Sequence, residues 1–209
     1  MRILAWKYLL ITFLGASLLF SCSKNSISSL SKSNLNFNKE EIELVMAADS
    51  SSAMRVWKID NFSDSLLLRQ NCSDIIFSSS DLVLESFINR LYKTVIDSVN
   101  QGVGIAAPQV GILKNIIWVQ RFDKLNYPFE VYINPTITHY SEEKQPCREG
   151  CLSIPNRMDT TQIRSQLIKI DYLDKNGVPR NESVEGFTAV IFQHEIDHLN
   201  GVLYIDHLD

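Results

Sequence analysis

Along the chain, hydrophobic and polar residues fall into three regimes. Tyr8–Phe20 is an unbroken apolar run of about 13 residues, too short to cross a hydrocarbon core that needs roughly 20. Residues 23–38 are rich in serine and asparagine with no sustained period, so they read as a flexible tether. Residues 39–55 carry no clear pattern beyond a short helix around Glu40–Ala48. From Val56 the pattern becomes that of a globular body. Leu84, Phe87, Ile88, Leu91, Val95 and Val99 recur three or four apart, which predicts an amphipathic helix over Asp81–Asn100. Ser79, Ser80 and Asp81 offer N-caps for it, and Gly102 follows its end. Residues 116–120, 129–133 and the alternating stretch 167–172 predict strands, the second stopped by Asn134-Pro135. Gly186–Leu199 predicts a second helix, stopped by Asn200-Gly201. There are no internal repeats, and helices and strands do not alternate as repeated βαβ units, so the expected class is α+β.

Charge and cysteine content change this picture at two points. The net charge is −4. Without Arg2 and Lys7 of the leader, 18 basic residues face 24 acidic ones, a balance of −6. Such a body lacks the basic excess of a nucleic-acid binder. The four cysteines, Cys22, Cys72, Cys147 and Cys151, are too few for a disulfide scaffold. Cys22 stands where the apolar run stops. Leu19-Phe20-Ser21-Cys22 resembles a bacterial lipobox, with an apolar residue three before the cysteine and a small one just before it. That resemblance implies diacylation of Cys22 and an exported, membrane-anchored lipoprotein, since two acyl chains hold where one binds marginally. The plain alternative is an ordinary cleaved signal. The expected division is a signal peptide over 1–21, a tether over 22–55 and a folded domain over 56–209.

Three clusters carry chemistry. His194-Glu195-Ile196-Asp197-His198 is a His-Glu-x-x-His motif. On a helix, residues four apart share a face, so both imidazoles can hold one metal while Glu195 reaches its water. The helix is otherwise apolar, and buried histidines and acids need partners. A catalytic site needs a third ligand and an open position; Cys151, in Glu149-Gly150-Cys151-Leu152-Ser153, is the best candidate. Gly102-Val103-Gly104-Ile105-Ala106-Ala107-Pro108-Gln109 marks a backbone bend or a place where a ligand lies against the main chain. It lacks the third glycine of a dinucleotide loop.

Taken together and in this order, the three clusters resemble the peptide deformylase family, over roughly Phe62 to Asp206, with Ile133-Asn134-Pro135 and Gly201-Val202-Leu203-Tyr204-Ile205-Asp206 also matching. The resemblance implies antiparallel sheets packed around the helix that bears His194 and His198. It implies Cys151, His194 and His198 as metal ligands, Glu195 as acid and base, and Gln109 with the Leu152 N–H as oxyanion donors. It implies Val103 and Gly104 along a peptide groove with Arg164 nearby, and Glu149, Phe187, Val190 and Ile191 around a methionine pocket. The family's metal is ferrous iron, with zinc or nickel tolerated; a thiolate and two imidazoles suit either iron or zinc. The implied substrate is an N-formylmethionyl peptide and the implied state a monomer. One extra residue lies between Pro155 and Arg164, which bears on the role carried to Arg164. Two other readings fit parts of the sequence: a silent formyl-peptide-binding lipoprotein, and a general protease. The protease draws its third ligand from downstream of the motif, where only eleven residues follow.

Overall fold

The computed structural model describes residues 36–208. The leader, Cys22 and most of the tether lie outside the described residues. The described residues form four α-helices and seven strands: α1 Lys39–Val45, α2 Phe62–Leu68, α3 Leu82–Val95, β1 Gly104–Ala106, β2 Ile116–Gln120, β3 Phe129–Tyr140, β4 Lys144–Cys151, β5 Ile154–Ser165, β6 Leu167–Leu173, β7 Pro179–Glu185 and α4 Gly186–Leu199. Short 3-10 turns cover Ala107–Val110 and Tyr204–His207.

Within the described residues, 36–55 pack onto the body, although the sequence reading assigned them to the tether. Asn38 caps α1: its side chain accepts from the Glu41 N–H at 2.8 Å, and Glu41 Oε2 accepts from the Asn38 N–H at 3.0 Å, an arrangement worth about 1 kcal/mol. Phe37, Ile42 and Val45 are buried in the same core as Val83, Phe87 and Leu91 of α3. Arg90 of α3, itself buried, donates to the carbonyls of Leu44, Val45, Ser52 and Ala53. The apolar residues of this segment are scattered among polar ones and make no sustained period. They fold because α3 supplies the partner face and a guanidinium for the carbonyls at the end of α1.

Asp81 caps α3 as expected, accepting from the N–H groups of Val83 and Leu84. The helix ends at Val95, five residues short of the predicted span. Asp97 turns the chain there by accepting from the Val99 N–H, and the Gly102 N–H returns to the Val95 carbonyl.

Five strands pair antiparallel in the order β1-β2-β3-β6-β7, and β4 and β5 form a separate antiparallel ribbon. β3 does not stop at Asn134-Pro135. It runs on to Tyr140 through a register shift between Ile133 and Thr136, with Asn134 at φ +51 and its side chain bonded to both backbone groups of Ile75. Strands β4, β5 and β7 were not expected, because Lys-Gln-Pro-Cys-Arg-Glu-Gly-Cys and its like show no apolar alternation. Helix α4 is apolar on nearly every side and packs against β1, β2 and β7, with β4 and β5 also touching it. Phe192 and Ile196 enter a core with Tyr132, Ile168 and Ile170 of the large sheet. The sheets thus surround the helix bearing the motif. Among the described residues, no helix is long and apolar enough to cross a membrane.

Candidate active site

Three side chains from two elements converge on one point. Helix α4 brings His194 and His198, and β4 ends on Cys151. The ligand atoms of these three residues all lie within 4.8 Å of one another. Cys151 Sγ is 3.2 Å from His198 Nε2. His194 turns its Nδ1 to Glu149 Oε2 at 2.7 Å, which leaves its Nε2 for a metal. A thiolate and two imidazoles with a position left open is the donor set of a catalytic transition-metal centre.

Glu149 is engaged all round. Its Oε1 accepts from Arg164 Nε at 2.8 Å and Oε2 from Arg164 NH2 at 2.9 Å, and Thr161 Oγ1 donates to Oε1. Arg164 reaches on to Asp197 at 2.6 Å, which also meets His207 Nε2 at 2.9 Å. Burial alone would raise the Glu149 pKa; the hydrogen bonds from His194 and Arg164 outweigh it and hold the carboxyl at about 2. Glu149 touches the cleft, but its carboxylate is committed to orienting His194. Arg164 was expected near the peptide groove. It is buried, does not line the cleft, and sits where the ribbon slips register between Gln145 and Cys147. No role was read for Asp197, although it lies within the motif, and His207 and Thr161 went unassigned because only tertiary contact joins them to it.

Glu195 is 5% exposed and lies against β1. A Cβ on Gly104 would sit 2.5 Å from its carboxylate, so this glycine is needed to admit the side chain. Burial pushes the Glu195 carboxyl up to about 7. Among the described residues, only Glu195 Oε2 and His198 Nδ1 are buried side-chain polar atoms without a partner. Such an orphan carboxylate oxygen, in the cleft lined by Cys151 and His194, fits a site built to hold a cation and water. The imidazoles shift in opposite senses: burial lowers His198, while for His194 bonds to Cys151 and Glu149 overcome burial and raise it.

Gln109 follows β1 on the first 3-10 turn. Its Oε1 accepts from the Ala106 N–H at 2.8 Å, which aims Nε2 at Ser153 Oγ, 3.3 Å away, and Cys151 Sγ, 3.5 Å away. Leu152 and Ser153 form the turn between β4 and β5, placing the Leu152 N–H next to Cys151. The segment Trp57–Ile59 ties these two turns together: the Trp57 N–H donates to the Gln109 carbonyl at 2.7 Å and the Ile59 N–H to the Ser153 carbonyl at 3.0 Å.

A cleft of about 1020 Å³ opens over this centre. Val103, Gly104, Phe187, Val190 and Ile191 line it, together with Cys147. Cys72, Cys147 and Cys151 are free thiols.

The chain matches the polypeptide deformylase family over residues 56–209. It belongs to the peptide deformylase family. Deformylase 1 of Clostridium perfringens is 43% identical over 148 residues, which is 70% of this chain and 94% of that one. The deformylase of Psychrobacter cryohalolentis is 42% identical over 125 residues, 60% of this chain and 66% of its own length. Among solved structures, the class I type b peptide deformylase of Acinetobacter baumannii bound to Met-ala-ser superimposes with a TM-score of 0.65 at 31% identity, covering 76% of this chain and 99% of that one. Deformylases are metal-dependent hydrolases, and the match starts at Val56, so residues 36–55 of the folded body fall outside the matched span.

Proposed function

We propose that the chain hydrolyses the formyl group from the N-terminal formyl-methionine of peptides. The observation that carries this reading is the buried Glu195 carboxylate, pressed on Gly104 and unpartnered at Oε2, in the cleft that Cys151 and His194 also line. A divalent cation held by Cys151, His194 and His198, ferrous iron by family with zinc or nickel tolerated and iron or zinc by ligand type, would supply Lewis-acid activation of water and carbonyl.

The chain's own residues do the rest. Glu195 takes a proton from the attacking water and passes it to the departing amine, so one carboxyl serves as base and then as acid. The negative charge that develops on the formyl oxygen is met by the Gln109 amide, preset by Ala106, and by the Leu152 N–H. Each such donor contributes about 3–4 kcal/mol in comparable oxyanion holes. The C–N bond breaks to give formate and a free α-amine. The peptide lies extended against the strand edge at Val103 and Gly104, with the methionine side chain among Phe187, Val190 and Ile191. A formyl carbon bears only hydrogen beyond its oxygen, so a tight site excludes longer acyl groups by size. Anaerobically purified protein given formyl-Met-Ala-Ser should release formate. Binding without release, whether loaded with iron, zinc or nickel, would replace the enzyme reading by that of a silent binder.

We infer further that Cys22 carries a lipid anchor and that the enzyme works tethered to a membrane outside the cytosol. The support is the apolar run ending at Leu19-Phe20-Ser21-Cys22. Cys22→Ala should move the protein out of the membrane fraction; unchanged fractionation would point to another anchor.

A further inference from the structure

The cleft is cationic at its mouth although the body is acidic. Lys58, Arg148 and Arg157 line it, and all three are exposed. Among the described residues, neither Lys58 nor Arg148 has an ion pair. Arg157 meets Asp159 through Nε alone, at 2.7 Å, so its two terminal nitrogens remain unengaged. The acids of the cleft are not available to balance these charges. Glu149 is consumed by Arg164 and His194, and Glu195 is buried. The backbone places Lys58 with care: the residues on either side of it donate to the Gln109 and Ser153 carbonyls, which pins it between the turns that carry the oxyanion donors. Arg148 is held on β4 opposite Thr160 of β5, three residues from Cys151.

The charge of the substrate makes this arrangement useful. A formylated amine cannot ionise. A short formyl peptide with neutral side chains is therefore a net anion, its one charge being the C-terminal carboxylate. In a long polypeptide that carboxylate is far from the cleft and adds nothing. Hydrolysis frees an α-amine with a pKa near 8, so the peptide product is largely a zwitterion at neutral pH. The field of the mouth thus attracts the substrate and lets go of the product.

Resting on the deformylase reading, we propose that Lys58, Arg148 and Arg157 form a carboxylate-recognising mouth that selects short formyl-methionyl peptides with a free C-terminus over long chains. Exposed charge pairs are individually weak, but several acting on one anion also speed its capture.

The test compares formyl-Met-Ala-Ser with its C-terminal amide, which differ in that one charge. At low ionic strength, kcat/KM for the acid should exceed that for the amide about tenfold, and the ratio should shrink as salt screens the mouth. The Lys58→Glu/Arg148→Glu double variant, with its fold checked by circular dichroism, should bring the ratio close to one. Equal values for the two peptides in the wild-type protein overturn the proposal, and so does a ratio that survives the double variant. If neither peptide is deformylated, the deformylase reading is what fails. Calorimetric affinities for the same two peptides then decide the mouth separately: tighter binding of the acid upholds it, and equal binding overturns it.

Discussion

Arg121 and Arg164 are both buried, and each holds several acids, yet their surroundings serve different ends. Arg121 follows β2 and donates to Asp123, Glu130 and Glu182, to the Tyr132 hydroxyl, and lies over the Phe192 ring. Every one of these partners is structural: the network joins β2, β3, β7 and α4. Arg164 donates to Glu149 and Asp197, but Glu149 passes on to His194. The same charge-assisted hydrogen bonds thus lock a fold at one place and orient a metal ligand at the other. What separates structure from function is the atom at which the network ends.

The largest effect should come where the second region meets the chemistry. Glu195→Gln keeps the shape of the side chain and removes its ability to take a proton. Turnover should fall by at least 10²-fold while metal content and melting temperature hold. A variant that stays active would mean Glu195 is not the base, and the orphan oxygen would need another explanation.

Next comes the structural network. Arg121→Met leaves Asp123, Glu130 and Glu182 facing one another with only Lys124, paired to Glu130, as a counter-charge. Breaking such a buried set costs roughly 3–5 kcal/mol. Urea unfolding at neutral pH should show that loss, with metal affinity of the folded protein unchanged. A pH series sharpens the point. Hydrogen bonding to Arg121 lowers the Asp123 pKa; for Glu130, burial raises the pKa but bonds from Lys124 and Tyr132 more than offset it. A carboxyl depressed in the folded state stabilises above its unfolded pKa, and that contribution fades as pH falls through the folded value. The gap between wild type and Arg121→Met should therefore narrow as pH drops below about 4. A gap independent of pH would show that lost packing, and not lost pairing, sets the cost.

The smallest effect belongs to Glu149→Gln. It keeps a hydrogen-bond acceptor near His194 but removes the charge that holds ring and arginine together. Metal affinity should weaken about 10–100-fold, measured by competition with a chelator. If affinity holds and only stability drops, the two arginine networks are alike after all and the contrast between them fails.

Much of the site was legible because its key spacings are local. His194 and His198 face the same way because a helix puts residues four apart on one side, and the apolar character of Gly186–Leu199 marked that helix. Other parts needed the fold. The glycines before Gln109 promised a close approach, but only the structure shows that Glu195 is what approaches Gly104. Arg164, expected near the peptide groove, is locked in a buried ion pair with Glu149. Residues 36–55 looked like spacer because their few apolar side chains find their partners on α3, about 40 residues away.

By itself, then, the sequence determined the two long helices, the apolar strands, the paired imidazoles and the family. Each is written in periodicity or in a motif that a few neighbouring residues complete. Only the tertiary structure decided that Cys151 would meet His198 across 47 positions, that Glu149 would orient His194, and that the polar strands β4, β5 and β7 would form at all. Those strands are held by backbone pairing with partners chosen by the whole fold, and side-chain periodicity carries no record of a partner's identity.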